Sequence, residues 1–261
     1  MSQIQQSVQG SACPSDNSHP LTPSYPSSGA VTIPMTNDYL FRAFLQQNNK
    51  ALKGLICALL HLDPQEVYSV DITNPITLGD SVNDKTFILD IRIRLNGSAI
   101  INLEMQVVNQ YNWVERSLSY LCRNFDRLQS GDEYEDVPPV IQIGILNFTL
   151  FKDHPEFYAT YQLLNVKNHA LYSDKLRLSV LDLTHIDMAT EEDKFYQIDY
   201  WASFFKATTW EEITVKNKFF TDKFVLTPKF AGVGSMEDYY VSRKERIHRR
   251  DGCHRLQTHS G

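Results

Sequence analysis

The stretch that decides the fold is residues 86–108, TFILDIRIRLNGSAIINLEMQVV. Apolar and polar residues alternate with a period of two in residues 86–95 and again in residues 99–108. Such alternation is typical of half-buried strands, and the Asn96-Gly97 pair between the two segments is a strong turn signal. The stretch therefore predicts a β-hairpin.

The register of this hairpin follows from its apolar pattern. A two-residue loop would place Ile91 opposite Asn102 and mix polar with apolar side chains on both faces. A three-residue loop, residues 96–98, places Ile91 opposite Leu103 and collects the apolar side chains on one face. Because the register of a strand pair follows the buried face, we predict the three-residue loop, with a β-bulge at Gly97.

The same register places Asp90 opposite Glu104 on the polar face. Opposed side chains lie about 4.5–5.5 Å apart at Cβ, so two carboxylates there repel each other unless something neutralises them. One carboxyl group can be protonated, Arg92 can pair with both, or a hard cation such as Mg²⁺ can bridge them. Gln106 shares this face and can hold a water or a phosphate oxygen. The pattern alone favours a simpler interpretation, in which these residues are the solvated face of an amphipathic sheet.

Patterns around the hairpin predict further helices and strands. A first helix begins near Asp38, capped by Thr36 or Asn37, and a second helix ends before Pro64. The remaining predicted elements are a strand over residues 67–72, a helix over 113–128, strands over 140–148, 158–165 and 176–183, and a helix over 195–205. This order predicts one mixed α/β domain over residues 35–213.

The two ends of the chain differ from this domain. Residues 1–34 are rich in Ser, Pro and Gln and nearly free of charge, which predicts a disordered extension. Residues 214–261 are poorly patterned and become basic near their end. Such a tail either binds phosphates or is unstructured.

Charge and composition exclude several classes of protein. The 261 residues carry a formal net charge of −6, which argues against binding to nucleic acid through a global positive field. No apolar run approaches the ~20 residues that a membrane-spanning helix needs, so we expect no membrane partner. Four cysteines without a CxxC pair fit a reducing, cytoplasmic compartment and no structural zinc.

Beyond these patterns, the chain resembles the PD-(D/E)xK family transposases, also called recombination-promoting (Rpn-type) nucleases. Asp90, the hairpin and then Glu104-Met105-Gln106 resemble the Asp…Glu-x-Gln/Lys core of PD-(D/E)xK nucleases. The resemblance covers about residues 35–213. The other matching segments are TNDYLF at residues 36–41, Asn74-Pro75, Asp84-Lys85, RSLSY at residues 116–120, Pro139-Val140-Ile141 and Asp174-Lys175-Leu176.

This resemblance implies an α/β, restriction-endonuclease-like fold in which helices flank a mixed central sheet. It also implies Mg²⁺-dependent or Mn²⁺-dependent cleavage of DNA phosphodiester bonds, linked to recombination or mobile elements. Carried over to this sequence, Asp90, Glu104 and Gln106 are the implied catalytic residues. Asp90, Glu104 and the main-chain carbonyl of Met105 are the implied metal ligands. Gln106 stands where many such nucleases carry lysine, so it can orient water but supplies no positive charge.

Four further residues are candidates for the same site, namely Asp38, Arg92, Arg116 and Tyr120. Asp38 is a further metal ligand or a carboxylate that caps the first helix. Arg92 is a phosphate contact or the neutralising partner of the hairpin carboxylates. Arg116 and Tyr120 lie four residues apart on one helical face. They either face the sheet and touch phosphate, or form a local ion pair and a half-buried ring.

These observations lead to one expected function and two alternatives. The leading expectation is a metal-dependent DNA endonuclease. A protein that keeps the fold but only binds nucleic acid or another partner is the alternative from a different class. Nuclease chemistry on RNA is the third. The sequence carries no signal for an oligomeric state.

Overall fold

The computed structural model describes residues 28–31, 34–75, 90–126, 128 and 130–213. The helices are α1 Asp38–Gln47, α2 Asn49–Leu60, α3 Trp113–Phe125, α4 Glu191–Phe195 and α5 Ile198–Phe205. The strands are β1 Val70–Ile72, β2 Ile91–Leu95, β3 Ala99–Gln106, β4 Val140–Leu146, β5 Tyr158–Leu164 and β6 Leu171–Asp182. Short 3₁₀ helices span Tyr134–Asp136 and Ile186–Met188.

The strands form one six-stranded mixed sheet in the order β1-β2-β3-β4-β6-β5. The central strands β3, β4 and β6 are parallel, whereas β1, β2 and β5 pair antiparallel at the two sides. Every residue of β4, VIQIGIL, is buried, as its nearly unbroken apolar run predicts. The sheet and its flanking helices confirm the restriction-endonuclease-like α/β fold.

The hairpin has the register that its apolar pattern predicts. Ile91 pairs with Leu103, and the last pair, Leu95 with Ala99, encloses a three-residue loop. Asn96 and Gly97 both have positive φ angles, 50° and 72°, so two left-handed residues make this turn. The strand pairs run without a shift up to the loop, and the predicted β-bulge at Gly97 is therefore absent from the ladder.

Helices cover both faces of the sheet. The main core lies where α1, α2 and α5 pack against one face, and it includes Ile91, Leu103 and Ile143. Helix α3 lies on the other face, where two smaller apolar clusters hold it. These clusters contain Ile100, Leu121 and Val140, and Trp113, Leu146 and Val180. The polar side chains of the hairpin lie between these two clusters, under α3.

Local capping explains where several helices begin and end. Asn37 caps α1, because its side chain accepts a hydrogen bond from the Leu40 N–H at 3.1 Å. The helix predicted over residues 195–205 begins later, as α5 at Ile198, and a separate short helix, α4, ends at Phe195. Thr190 starts α4 with a capping box, and Gln197, at φ 67°, separates α4 from α5. The helix predicted over residues 113–128 ends earlier, at Phe125.

Other element boundaries also differ from the prediction. The strand predicted over residues 67–72 is confined to β1, and the strand predicted over residues 176–183 begins earlier, at Leu171. Residues 86–89 of the first predicted hairpin strand, and the Asp84-Lys85 motif, lie outside the described residues.

A short piece of the predicted N-terminal extension is ordered. Residues 28–31 pair with residues 208–210, where Val31 N–H donates to the Thr208 carbonyl at 2.8 Å and Ala30 forms a β-bridge with Thr209. These backbone hydrogen bonds replace those to water, so the predicted disorder does not include these four residues. Residues 1–27 and the predicted tail, 214–261, lie outside the described part of the chain. Within that part, no helix has the length and apolar character needed to cross a membrane.

Candidate active site

Asp90 and Glu104 lie at neighbouring positions of the hairpin, under helix α3. Glu104 is in β3, and Asp90 immediately precedes β2, at the position that continues the Ile91–Leu103 register. Their exposed fractions are 5% for Asp90 and 2% for Glu104. Asn102 and Gln106, on the same face, are also buried. The alternative of a solvated sheet face is therefore wrong for these four residues.

Glu104 is held by one ion pair. The Arg116 Nη2 atom lies 2.6 Å from the Glu104 Oε1 atom. The second carboxylate oxygen, Oε2, is buried and has no hydrogen-bond partner among the described residues. A buried carboxylate oxygen without a partner carries a large desolvation cost, and it is an acceptor for a cation or a proton.

The electrostatic surroundings of Glu104 disfavour its charged form. Burial is the largest effect, and with repulsion from Asp90 and Asp38 it raises the pKa of Glu104 from 4.5 to about 7. The charge and the hydrogen bond of Arg116 oppose this rise. Three carboxyl groups are thus close enough to interact at this end of the sheet, with Arg116 as the opposing charge.

Hydrogen bonds from Arg42 of α1 and from Asn74 hold the main chain at Asp90. Arg42 is buried, and its Nη1 atom donates to the Asp90 carbonyl at 2.6 Å. The Asn74 Nδ2 atom donates to the same carbonyl at 3.0 Å, and Asn74 Oδ1 accepts from the Arg92 N–H at 2.8 Å. Sequence analysis missed the role of Arg42, because the residue lies among the apolar positions of α1 and no spacing marks it. Asn74 carried a signal, since Asn74-Pro75 is one of the matching segments.

A glycine in β4 makes room for α3 beside Glu104. Gly144 pairs with Glu104 across the parallel strands. A Cβ atom on Gly144 would lie 2.0 Å from Cζ2 of Trp113, so only glycine lets this ring lie against the sheet. Trp113 begins α3, and Arg116 follows it by one helical turn. This contact was also missed, because its evidence is tertiary packing and not a sequence pattern.

One known protein family matches most of the chain. The model of the family described as PD-(D/E)XK nuclease family transposase matches residues 35–247 of the chain. The chain belongs to this family. The match begins at Met35, as the resemblance does, and extends past residue 213. No curated protein and no solved structure matches the chain.

Membership of the PD-(D/E)XK nuclease family transposases supports a nuclease or mobile-element role for the chain, with DNA as the substrate that the family implies. PD-(D/E)XK nucleases generally use divalent metals. The family match includes the carboxylates at the end of the hairpin, and it assigns no role to an individual residue.

The structure also describes the other residues expected at the metal. Gln106 is buried, and its Nε2 atom donates to the Val108 carbonyl at 3.1 Å. The Met105 side chain lies in the main core on the opposite face, so its main-chain carbonyl is the group that can serve at the site. Asp38 lies in the first turn of α1, where Asn37 already provides the cap. Burial raises the pKa of Asp38, and Arg116 opposes that rise.

Arg92 and Arg116, the two arginines expected at the site, differ in their contacts. Arg92 forms no ion pair with Asp90 or Glu104 in the described structure, and its Nε atom is buried without a hydrogen-bond partner. Arg116 instead neutralises Glu104. The expectation that Arg92 neutralises the hairpin carboxylates is therefore wrong for this arrangement. Arg116 pairs across to the sheet and not with an acidic neighbour on its own helix. Its guanidinium carbon lies 5.5 Å from the centre of the Tyr120 ring, as the four-residue spacing allows.

A divalent cation needs several oxygen ligands that converge on one point. Over the described ranges, no three His, Cys, Asp or Glu side chains form a group that could hold a metal ion. Asp38, Asp90 and Glu104 thus do not form such a three-carboxylate group in this part of the chain. Mg²⁺ usually takes only one or two carboxylates and keeps waters and phosphate oxygens as its other ligands. The free Oε2 atom of Glu104 and the adjoining Asp90 fit this kind of site.

Proposed function

We propose that the chain is an endonuclease that hydrolyses DNA phosphodiester bonds with Mg²⁺ or Mn²⁺, in recombination or the movement of mobile elements. One observation carries this proposal. A buried carboxylate oxygen of Glu104 has no partner, and Asp90 precedes β2 at the position opposite it. Most buried polar atoms in folded proteins have a hydrogen-bond partner, so an unpartnered carboxylate oxygen in a cluster of acidic groups points to a role beyond stability. A cation ligand keeps one oxygen free.

In this proposal, Asp90, Glu104 and the Met105 carbonyl hold the cation at the end of the hairpin. When bound, the cation supplies the charge that stabilises the phosphate oxygens and lowers the pKa of the attacking water. The hydrogen bonds from Arg42 and Asn74 to the Asp90 carbonyl fix the main chain that carries this ligand.

Gln106 has a more limited role than the lysine of many related nucleases. It can orient a water or a phosphate oxygen by hydrogen bonds, and it cannot stabilise charge in the transition state. The positive charge at the site therefore comes from Arg116, beside Glu104, and from Arg42, beside Asp90. We propose further that Arg92 and Tyr120, on the margin of the site, serve as contacts of the DNA backbone and are not ligands. The two free thiols described, Cys57 and Cys122, agree with action in the cytoplasm.

Nicking of supercoiled plasmid tests this function. Wild-type protein is incubated with plasmid in Mg²⁺, Mn²⁺ or EDTA, beside Asp90→Asn and Glu104→Gln. We expect cleavage only with a divalent cation and a loss of about 100-fold or more in each variant, since metal-dependent stabilisation is worth several kcal/mol. Glu115→Gln is the matched control, because Glu115 is exposed on α3, and it should cleave like the wild type. Cleavage that survives both site variants would disprove the assignment.

A second function is favoured by one specific observation. The Gln106 amide already donates to the Val108 carbonyl, and no lysine stands at this position. A nucleic-acid-binding or interaction protein that has lost catalysis would show the same feature. Binding of DNA in a gel-shift assay, with no cleavage in either metal, would support this function. Cleavage of RNA but not of plasmid DNA would support the third alternative.

A further inference from the structure

The contact between α3 and Glu104 uses only one of the two carboxylate oxygens. Arg116 Nη2 lies 2.6 Å from Oε1, and Oε2 has no partner in the described structure. A charge-assisted hydrogen bond of this length fixes the orientation of a carboxylate more firmly than a neutral one. Arg116 therefore restricts the rotation of the Glu104 carboxylate and, with it, the directions in which Oε2 can point.

The position of Arg116 is itself well defined. Trp113, three residues earlier, is 2% exposed and lies against the backbone of Gly144, which is paired with Glu104. Ser117, the residue after Arg116, is also buried. Tyr120 lies one turn further on, with its ring 5.5 Å from the guanidinium carbon. Packing of α3 on both sides of Arg116 thus holds the guanidinium over the sheet.

We propose that Arg116 is a positioning residue, which holds Glu104 by Oε1 so that Oε2 is left free and oriented to bind the divalent cation. This inference rests on the proposed function and adds a specific role within it. Ligating carboxylates in metal sites are commonly hydrogen-bonded by residues outside the ligand shell, and loss of such a partner typically lowers metal affinity by about 10–100-fold. Arg116 does not touch the cation in this arrangement, and it acts through Glu104.

The competing role for Arg116 predicts the opposite sign. If the guanidinium simply occupied the place of the cation, its removal would free Glu104 and strengthen metal binding. The observations favour positioning, because Arg116 contacts Oε1 alone and leaves the second oxygen available. Metal affinity, measured without DNA, therefore separates the two roles.

Titration of the metal-free protein with Mn²⁺ in an isothermal calorimeter tests the inference. We expect Arg116→Met to weaken Mn²⁺ binding by about 10–100-fold. Arg116→Lys should recover part of the affinity, because lysine can still donate a charged hydrogen bond to Oε1. Arg123→Met is the matched control, since Arg123 is exposed on the same helix, and it should bind Mn²⁺ like the wild type. Melting curves by circular dichroism establish that each variant is folded.

The outcomes distinguish this inference from the proposed function. Unchanged or tighter Mn²⁺ binding in Arg116→Met would overturn the positioning role, while leaving Asp90 and Glu104 as ligands. Wild-type protein that binds no Mn²⁺, or Glu104→Gln that binds it fully, would overturn the proposed metal site and the positioning role together. If Arg116→Met does not fold, Arg116→Gln replaces it. That variant should bind less tightly than Arg116→Lys, and equal affinity to the wild type would overturn the inference.

Discussion

Ionisation of Glu104 should make the metal-free protein less stable as the pH rises. In the folded chain the pKa of this carboxyl group is about 7, whereas its ordinary value is 4.5. Between these two values the folded protein keeps a proton that the unfolded chain has released. Stability therefore falls with pH in this interval, because the folded state binds more protons. The full stabilisation is present below pH 4.5 and is lost through pH 7.

The size of the effect follows from the same two values. Each pH unit between them corresponds to about 1.4 kcal/mol, so ionised Glu104 costs the folded protein about 3 kcal/mol above pH 7. Part of that cost is already present at pH 5. The change in the free energy of unfolding between pH 5 and pH 8 should be about 2.5 kcal/mol.

Urea unfolding in EDTA, followed by circular dichroism from pH 5 to pH 8, measures this effect. Glu104→Gln cannot ionise, and the other titrating groups are common to both proteins. The stability of the variant relative to the wild type should therefore rise by about 2.5 kcal/mol across the range. Glu115→Gln should show a constant difference. A constant difference for Glu104→Gln as well would refute the reasoning that burial, and not solvent, controls this carboxyl group.

Three other substitutions test the packing around the site by urea unfolding at one pH. Gly144→Ala should destabilise the protein by about 1–3 kcal/mol, because the added Cβ meets Trp113, and an unchanged midpoint would contradict the close approach. Arg42→Met should cost about 1–3 kcal/mol by removing one of the two donors to the Asp90 carbonyl, and a neutral effect would show that Asn74 alone satisfies it. Asn96 has a positive φ of 50°, so Asn96→Ala should lower the free energy of unfolding by about 1–2 kcal/mol. Asn96→Gly should lower it less, because glycine adopts this conformation without strain. Equal effects of the two variants would exclude backbone strain as the cause.

The hairpin shows how much of the fold the sequence determines. Period-two alternation fixes which side chains share a face, and a one-residue slip would expose the apolar set. The register with Ile91 opposite Leu103 could therefore be derived from the sequence, as could the three-residue loop. Boundaries were predicted less well where a single residue decides them. Gln197, for example, adopts a left-handed conformation that no helical pattern indicates.

The partners of the candidate site were harder to predict than its carboxylates. The pairing of Glu104 with Arg116, and not with Arg92, depends on how α3 packs on the sheet. That packing depends in turn on the contact of Trp113 with Gly144. Residues far apart in sequence make these contacts, so local propensity and spacing carry no information about them. Arg42 is the clearest case, since a buried arginine in an apolar helix stretch has no sequence signature.

The location of a bound cation shows whether Asp90 and Glu104 form a metal site. Crystals of the protein grown with Mn²⁺ would show the ion as a peak in an anomalous difference map. A peak is expected between the carboxylates of Asp90 and Glu104, in contact with Glu104 Oε2, with no peak there in Glu104→Gln crystals. Mn²⁺ bound only elsewhere, or at this position in the variant as well, would contradict this expectation.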